Sequence, residues 1–294
     1  MTILCLSAQT ACGIAFTLLT QGCTAPVLCQ NGNASAGSFA MPAGTVPLIT
    51  NHLLQLLSDK DRHILLQYCD VVQLTFADVL CEHNQRYRYL YFPLSGFISL
   101  VSKLAGHKPL EMGLIGNEGM LGVTLALGIS TAPMRAVVQG KGTAWRIDIA
   151  DLRQFLQHCP QLQHLLQQYL FVQHSQLSQS AACAHFHELS PRLARWLLMS
   201  HDRAHSNQFY LTHQFLADML GVRRSGITVA AGILQQQQFI SYTRGMISIL
   251  DRQALKQIAC ECYQAALDDY RTVLGEPQPA ADNILRQDYA QGTP

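Results

Sequence analysis

Between Tyr210 and Leu234 the chain reads YLTHQFLADMLGVRRSGITVAAGIL, and this spacing allows few folds. Thr212 is placed to cap a helix, because its hydroxyl can accept from an unpaired N–H of the first turn. Phe215, Leu216, Met219 and Leu220 follow at helical spacing and form one apolar face. Gly221 stops that helix, since glycine takes the left-handed conformation without steric cost. A second periodic run opens at Val222 and points Ile227, Ala230, Ala231 and Leu234 inward. Arg223, Arg224, Ser225 and Thr228 are left facing outward near its start. A helix that reads DNA bases needs its contact residues there, because its first turn points into the major groove. The alternative for the same residues is a helical hairpin with two solvated arginines.

The residues beyond Leu234 favour the first reading. Phe239–Tyr242 and Met246–Leu250 are β-prone runs joined by Thr243-Arg244-Gly245, a hairpin with a glycine turn and a cation at its tip. Helix, turn, helix and hairpin in this order make a winged helix. On Leu211-Thr212, Leu216-Ala217, Leu220-Gly221-Val222-Arg223-Arg224, Leu234 and Ile240-Ser241 the sequence resembles the Crp/Fnr superfamily of bacterial transcription regulators. The resemblance runs from about Leu48 to Tyr263.

The resemblance implies an α+β fold with an N-terminal β-roll of the cyclic-nucleotide-binding type, a long dimerisation helix and a C-terminal winged helix. It implies a cytoplasmic homodimer on a palindromic double-stranded DNA operator, in contact with RNA polymerase if it activates. The contact residues it implies are Thr212, Gln214, Arg223, Arg224, Ser225, Thr228 and Arg244. Arg224 matches the superfamily's base-reading arginine. The expected divisions are an extension over 1–41, the roll over 42–158, the dimerisation helix and hinge over 159–187, the winged domain over 188–265, and a helix end with a disordered tail over 266–294.

Composition constrains how DNA could be held. Only 13% of the 294 residues are charged and the net charge is +1, so binding must rest on a local patch. Glu188 to Arg271 holds nine Lys or Arg against seven Asp or Glu, and the positive charge concentrates at Arg223, Arg224 and Arg244. A rival reading, a sensory protein acting by protein contact with a vestigial DNA-binding domain, is opposed by those arginines. There is no Ser-His-Asp order, P-loop or paired-His metal motif with supporting context, so no residue is nominated for catalysis. No apolar run approaches the ~18 residues of a membrane span.

Residues 1–58 contain no Asp, Glu, Lys or Arg. The apolar stretch Gly13–Leu19 lacks the positive flank and cleavage site of a secretory signal. The segment before Met41 reads as a poorly ordered extension, or as upstream translation of a gene that starts at Met41. Its Cys5, Cys12, Cys23 and Cys29 are spread more widely than the clustered cysteines of the superfamily's iron–sulfur branch, and no cluster is expected. Ten scattered cysteines suit reduced thiols in a cytoplasm better than a disulfide scaffold.

Asn51–Cys69 predicts an amphipathic helix broken at Ser58. Short β-prone runs come next at Val71–Phe76, Tyr89–Phe92, Ile98–Val101, Glu111–Ile115, Arg135–Val138 and Thr143–Ile147, punctuated by glycines. Many short strands at regular spacing imply a sandwich or barrel. Tyr91–Gly96 looks like the strand and turn that open the superfamily's sensory roll.

In that roll the resemblance places an effector pocket on Asn117, Glu118, Gly119, Gly122, Val123, Ala132 and Arg135. The superfamily's ribose-binding Glu falls on Val123 and its phosphate-binding Arg-Ser pair on Ala132-Pro133. Arg135 is close but turned elsewhere. A phosphate needs the arginine fork, so the cassette is degenerate and cyclic AMP is not the expected effector. Asn117-Glu118-Gly119 also reads as a turn kept for structure.

From Asp148 the chain becomes helical, interrupted at Pro160. Leu162, Leu165, Leu166, Tyr169, Leu170, Val172 and Leu177 form the seam expected to meet a second copy, with Gln173, Gln176 and Ser180 interrupting it. Cys183, His185 and His187 form a Cys-x-His-x-His run at the junction. Alternate residues on a helix point about 200° apart, so the three would not converge unless the helix ended there. A plain hinge is the expectation, and Cys260 and Cys262 fall under the same argument. No metal or cofactor is expected. Ser190-Pro191-Arg192 predicts the start of the helix that carries the winged domain.

Overall fold

The computed structural model describes residues 51–204 and 206–276. The expectations for 1–41, including Cys5, Cys12, Cys23 and Cys29, and for the tail past 276 lie outside the described residues. Two short helices open the fold, α1 (His52–Gln55) and α2 (Asp59–Leu66). The break falls at Ser58 because its hydroxyl accepts from the Asp61 N–H and starts the second helix afresh.

Seven strands come next: β1 (Cys69–Leu74), β2 (Val79–Cys81), β3 (Tyr89–Pro93), β4 (Phe97–Ser102), β5 (Leu110–Ile115), β6 (Arg135–Gly140) and β7 (Gly142–Asp148). They form two antiparallel sheets ordered β1-β7-β3 and β2-β6-β4-β5. Six of the seven lie on the runs read from the sequence. The three residues of β2 are too few to show a period. Strand β4 is buried on both faces. Ile98 packs in the core of the roll, whereas Phe97 packs with the winged domain. Ile115 and Leu114 of β5 divide in the same way. The β4–β5 hairpin therefore belongs to two cores.

Asp148 caps α3 (Ile149–His158), and Pro160 sits in the first turn of the 27-residue α4 (Pro160–Phe186). At 1.5 Å per residue α4 is about 40 Å long. Leu162, Leu166, Tyr169 and Val172 of the expected dimer seam are buried in the chain's own core. The seam thus meets the roll and the last helix among the described residues, which corrects the expectation that these residues face a second copy. Phe171 is 60% exposed on the outward side, which it shares with His164, Gln167, His174 and Ser178.

The second half holds α5 (Leu189–Ala204), β8 (Gln208–Tyr210), α6 (His213–Leu220), α7 (Arg224–Gln236), β9 (Ile240–Thr243), β10 (Met246–Ile249), α8 (Arg252–Ile258) and α9 (Cys262–Leu274). Pro191 lies in the third position of α5, where a missing N–H still costs nothing. The winged domain is complete, with a third strand, β8, in a sheet ordered β8-β10-β9.

The boundary expected at 265/266 falls inside α9. That helix runs back antiparallel to α4: Ser175 Oγ donates to Asp269 Oδ2 at 2.5 Å and Gln179 Nε2 to Cys262 Sγ at 2.9 Å. Tyr263, Ala266, Tyr270 and Leu274 recur at three to four residues and are buried. Tyr270 and Leu274 end in the core of the roll, so α9 straps the winged half to the sensory half. Among the described residues no helix is long and apolar enough to cross a membrane.

Candidate nucleic-acid interface

The turn between α6 and α7 is held rigidly from behind. Thr212 Oγ1 accepts from Phe215 N at 3.1 Å, as its capping role predicts. Gly221 takes φ +66°, and Val222 N donates back to Ala217 O at 2.9 Å. Arg192 of α5 reaches across to donate to the Leu220 carbonyl at 2.7 Å. The second helix begins at Arg224, two residues later than Val222, because Arg223 is its extended N-cap. Ile227, Ala230, Ala231 and Leu234 are buried as expected.

Arg223, Arg224 and Ser225 are exposed at the head of α7, and Arg244 is exposed at the hairpin tip. None of the three arginines is paired with a carboxylate among the described residues. Arg244 and Gly245 both take positive φ, which gives the two-residue turn whose twist matches the flanking strands.

The remaining predicted contact residues are more committed. Thr228 Oγ1 donates to the Arg224 carbonyl at 3.2 Å and lies 3.0 Å from His213 Nδ1. Gln214 donates to Asp218 at 2.8 Å, and Asp218 pairs with Lys108 of the β4–β5 hairpin at 3.0 Å.

His213 escaped the sequence reading. Its ring stacks on Tyr242 of β9, with centroids 4.3 Å apart, and so locks α6, α7 and the hairpin together. Burial holds its pKa below the ordinary value, and nearby Arg224 adds to this. Val229 and Ile233 also escaped it. With Ser225 they form an exposed stripe along α7 at one-turn spacing, Val229 being 64% exposed. Their position on the same face as Ser225 was the available signal.

The roll's turn Gly116–Val123 has a different character. Every backbone carbonyl from Asn117 to Gly119 is taken: His52 N donates to Asn117 O at 2.7 Å, Tyr270 Oη to Glu118 O at 2.6 Å and Asn51 Nδ2 to Gly119 O at 2.8 Å. The Glu118 carboxylate accepts from Arg203 of α5, at 2.8 Å from Nε and 2.7 Å from Nη2. It therefore points into the joint with the winged domain. A Cβ at Gly119 would run into the Tyr169 ring, which explains the glycine. Val123 and Ala132 are buried in the core, and Arg135 is held by Glu82 at 3.4 Å. The cavity left beside Gly122, Val123 and Pro133 is about 30 Å³, room for one or two waters. Asn117, Glu118 and Gly119 thus form a structural joint, and its partners Arg203 and Tyr270 were not visible from sequence spacing.

A family model for a Crp-like helix-turn-helix domain matches residues 191–258, and one for a cyclic nucleotide-binding domain matches residues 71–159. The two stretches take in more than half of the chain. The chain belongs to the Crp/Fnr superfamily of transcription regulators.

Solved Crp/Fnr structures share this fold at low identity. A protein of Eubacterium rectale described as a transcriptional regulator of the Crp/Fnr family has 16% identity and TM-score 0.55, over 70% of this chain and 96% of its own. FixK2 from Bradyrhizobium japonicum has 13% identity and TM-score 0.56, over 65% and 98%. The c-di-GMP-responsive regulator CLP of Xanthomonas campestris has 16% identity and TM-score 0.54, over 65% and 99%. No curated protein matches the chain.

Within this Crp/Fnr fold, two further clusters link the halves. Glu111 of β5 accepts from Ser99 Oγ at 2.6 Å and from Trp196 Nε1 of α5 at 2.7 Å. Burial pushes its carboxyl up to about 7, against the lowering effect of those two donors. At the end of α4, Cys183 and His187 meet Cys260 and Cys262, with all four ligand atoms within 4.8 Å of one another. The argument that alternate residues diverge holds for Cys183 and His185, since His185 is exposed and packs against Phe186. The pair that converges is Cys183 and His187, because α4 ends at Phe186 and His187 is its extended C-cap, whose N–H still donates to the Cys183 carbonyl at 3.2 Å. Four sulfur and imidazole groups therefore meet at the junction expected to be a plain hinge. Cys260 and Cys262 converge because α8 ends at Ile258 and α9 starts at Cys262, so no helix separates their directions.

Proposed function

We propose that this regulator is a sequence-specific DNA-binding protein that reads a palindromic operator as a homodimer in the cytoplasm, without control by cyclic AMP. The observation that carries the reading is the exposed head of α7, where Arg223, Arg224 and Ser225, unpaired with any carboxylate among the described residues, stand on a turn fixed from behind by Arg192. A guanidinium there can bond guanine O6 and N7 together, the commonest specific contact in the major groove. Arg224 takes that role. Arg223, outside the helix, and Arg244, on the hairpin, are placed for phosphates. Val229 adds an apolar surface suited to a thymine methyl. Thr212, Gln214, Ser225 and Thr228 contribute lesser contacts.

Crp/Fnr regulators bind DNA and act as dimers. The outward face of α4 around Phe171 is the surface for the second copy, since a 60% exposed Phe on a long helix gains from being covered. Contact with RNA polymerase would follow if the protein activates. The effector reading rests on volume and charge. Small-molecule pockets run to about 300–1,000 Å³, far above the cavity beside Val123 and Pro133, and the Arg135 guanidinium is held by Glu82.

Selection of bound sequences from random DNA tests the reading. A two-fold symmetric site with half-sites about 34 Å apart, or a multiple of that, is expected. Failure to enrich any sequence, or a monomer by light scattering at micromolar concentration with DNA present, would overturn it.

A further inference from the structure

The four residues at the α4–α9 corner come from two distant parts of the chain and offer three sulfurs and one imidazole nitrogen. Cys183 Sγ lies 3.6 Å from Cys260 Sγ, and Cys262 Sγ lies 3.4 Å from His187 Nδ1. A tetrahedral zinc ion has Zn–S bonds near 2.3 Å and Zn–N bonds of about 2.0–2.1 Å, so its ligands stand roughly 3.8 Å apart for two sulfurs and roughly 3.6 Å for sulfur and nitrogen. These two separations match one ion, and all four ligand atoms lie within 4.8 Å of one another. Iron–sulfur clusters spread their cysteines over several irons and need a wider cage. A disulfide needs sulfurs about 2.0 Å apart, and would use only two of the four groups.

The surroundings fit the same assignment. His187 presents Nδ1 to the sulfurs, while its Nε2 stands 3.0 Å from Glu261 Oε1. A carboxylate on the far nitrogen fixes the tautomer and strengthens the near nitrogen as a ligand. Three thiolates and a neutral imidazole around a divalent ion leave one negative charge. Arg195 Nη1 lies 3.8 Å from Cys183 Sγ to offset it, and Gln179 Nε2 donates to Cys262 Sγ. The three sulfurs are buried together, apart from the two large cores, and His187 lies at the edge where an ion can enter.

We propose that Cys183, His187, Cys260 and Cys262 bind a single zinc ion in a closed tetrahedral site that pins the α8–α9 corner to the end of α4. Loading replaces the three thiol protons, which pass to solvent. The ion joins the long helix to the strap that returns from the winged domain, so it acts on the coupling between the two halves.

The test uses the full chain, purified under reducing conditions, stripped with chelator and titrated with Zn²⁺ or Co²⁺. One ion per chain is expected, with the intense visible absorption of tetrahedral thiolate-bound Co²⁺, and a melting temperature that rises on loading. Cys183→Ser combined with Cys260→Ser should abolish the band. His187→Cys should keep one ion with a spectrum shifted towards four sulfurs, which guards against variants that merely misfold. Glu261→Gln should weaken zinc about tenfold. A wild-type chain that stays metal-free, a pale octahedral cobalt spectrum, or a band that survives in the double variant would each overturn the proposal. So would a Cys183–Cys260 disulfide that forms at the same rate with and without zinc.

Discussion

Two glycine-punctuated turns in this molecule have opposite fates. In the roll, Gly116–Val123 has its carbonyls bonded to α1 and α9 and its one charge bonded to α5. In the winged domain, Gly221–Ser225 is bonded only on its inner side, and its charges stand in solvent. Both turns look like ligand sites when only their residue types are compared with the superfamily. The difference lies in what each leaves unsatisfied. A turn whose polar groups are all paired internally gains little from a ligand, whereas an exposed guanidinium still has donors to give.

That contrast makes an experimental distinction. Substitutions in the roll's turn should change stability, and substitutions in the winged turn should change DNA affinity. The largest effect is expected at Arg203. Its side chain and that of Glu118 are only 10% and 14% exposed, and removing one partner of a buried pair costs about 3–5 kcal/mol. Arg203→Met should lower the urea midpoint accordingly, and Glu118→Gln added to it should recover much of the loss. A single variant as stable as the parent would break the comparison.

Glu111 should give a smaller, pH-dependent effect on the same joint. Its folded pKa is raised to about 7, so the folded chain holds a proton that the unfolded chain releases above its ordinary value. The resulting stability is complete below that ordinary value and is lost as pH rises to about 7, by up to about 3 kcal/mol. Glu111→Gln should flatten that slope in melting measurements from pH 4.5 to 7.5. A slope unchanged in the variant would assign the effect elsewhere.

At the winged turn, Arg224→Ala should cost about 1–3 kcal/mol at the selected operator and relax preference at one base pair of each half-site. Its melting temperature should stay at the parent value. Arg223→Ala should weaken operator and scrambled DNA alike, lowering the salt slope by about one unit for each phosphate no longer neutralised. Wild-type affinity and preference in Arg224→Ala would remove α7 from the groove. The smallest signal is a null one: calorimetry with cyclic AMP or cyclic GMP should give no saturable heat at micromolar ligand, and micromolar affinity would show that the roll's cavity opens.

The helix-turn-helix, the hairpin and six of the roll's strands were legible because their determinants are local. Thr212 caps three residues ahead, Gly221 needs its own backbone angle, and Leu216 and Ile227 follow a helical period. The resemblance also located the roll's turn, but spacing could not say which way Glu118 pointed. Its partner Arg203 lies 85 residues away, and such contacts are set by how whole layers pack. The same limit hid the strap. The apolar period of Tyr263, Ala266, Tyr270 and Leu274 crosses the assumed domain boundary, yet only the fold shows that it lies on α4 and buries the expected dimer seam. The meeting of the sulfurs and the imidazole was illegible for a sharper reason. Helical geometry correctly separates Cys183 from His185, but bringing His187 to Cys183 depends on the helix ending at Phe186, and their partner Cys260 lies 77 positions on. Sequence by itself determines periods, caps and turns, because those energies are settled within a few residues; tertiary packing alone decides which distant side chains share a low-dielectric corner.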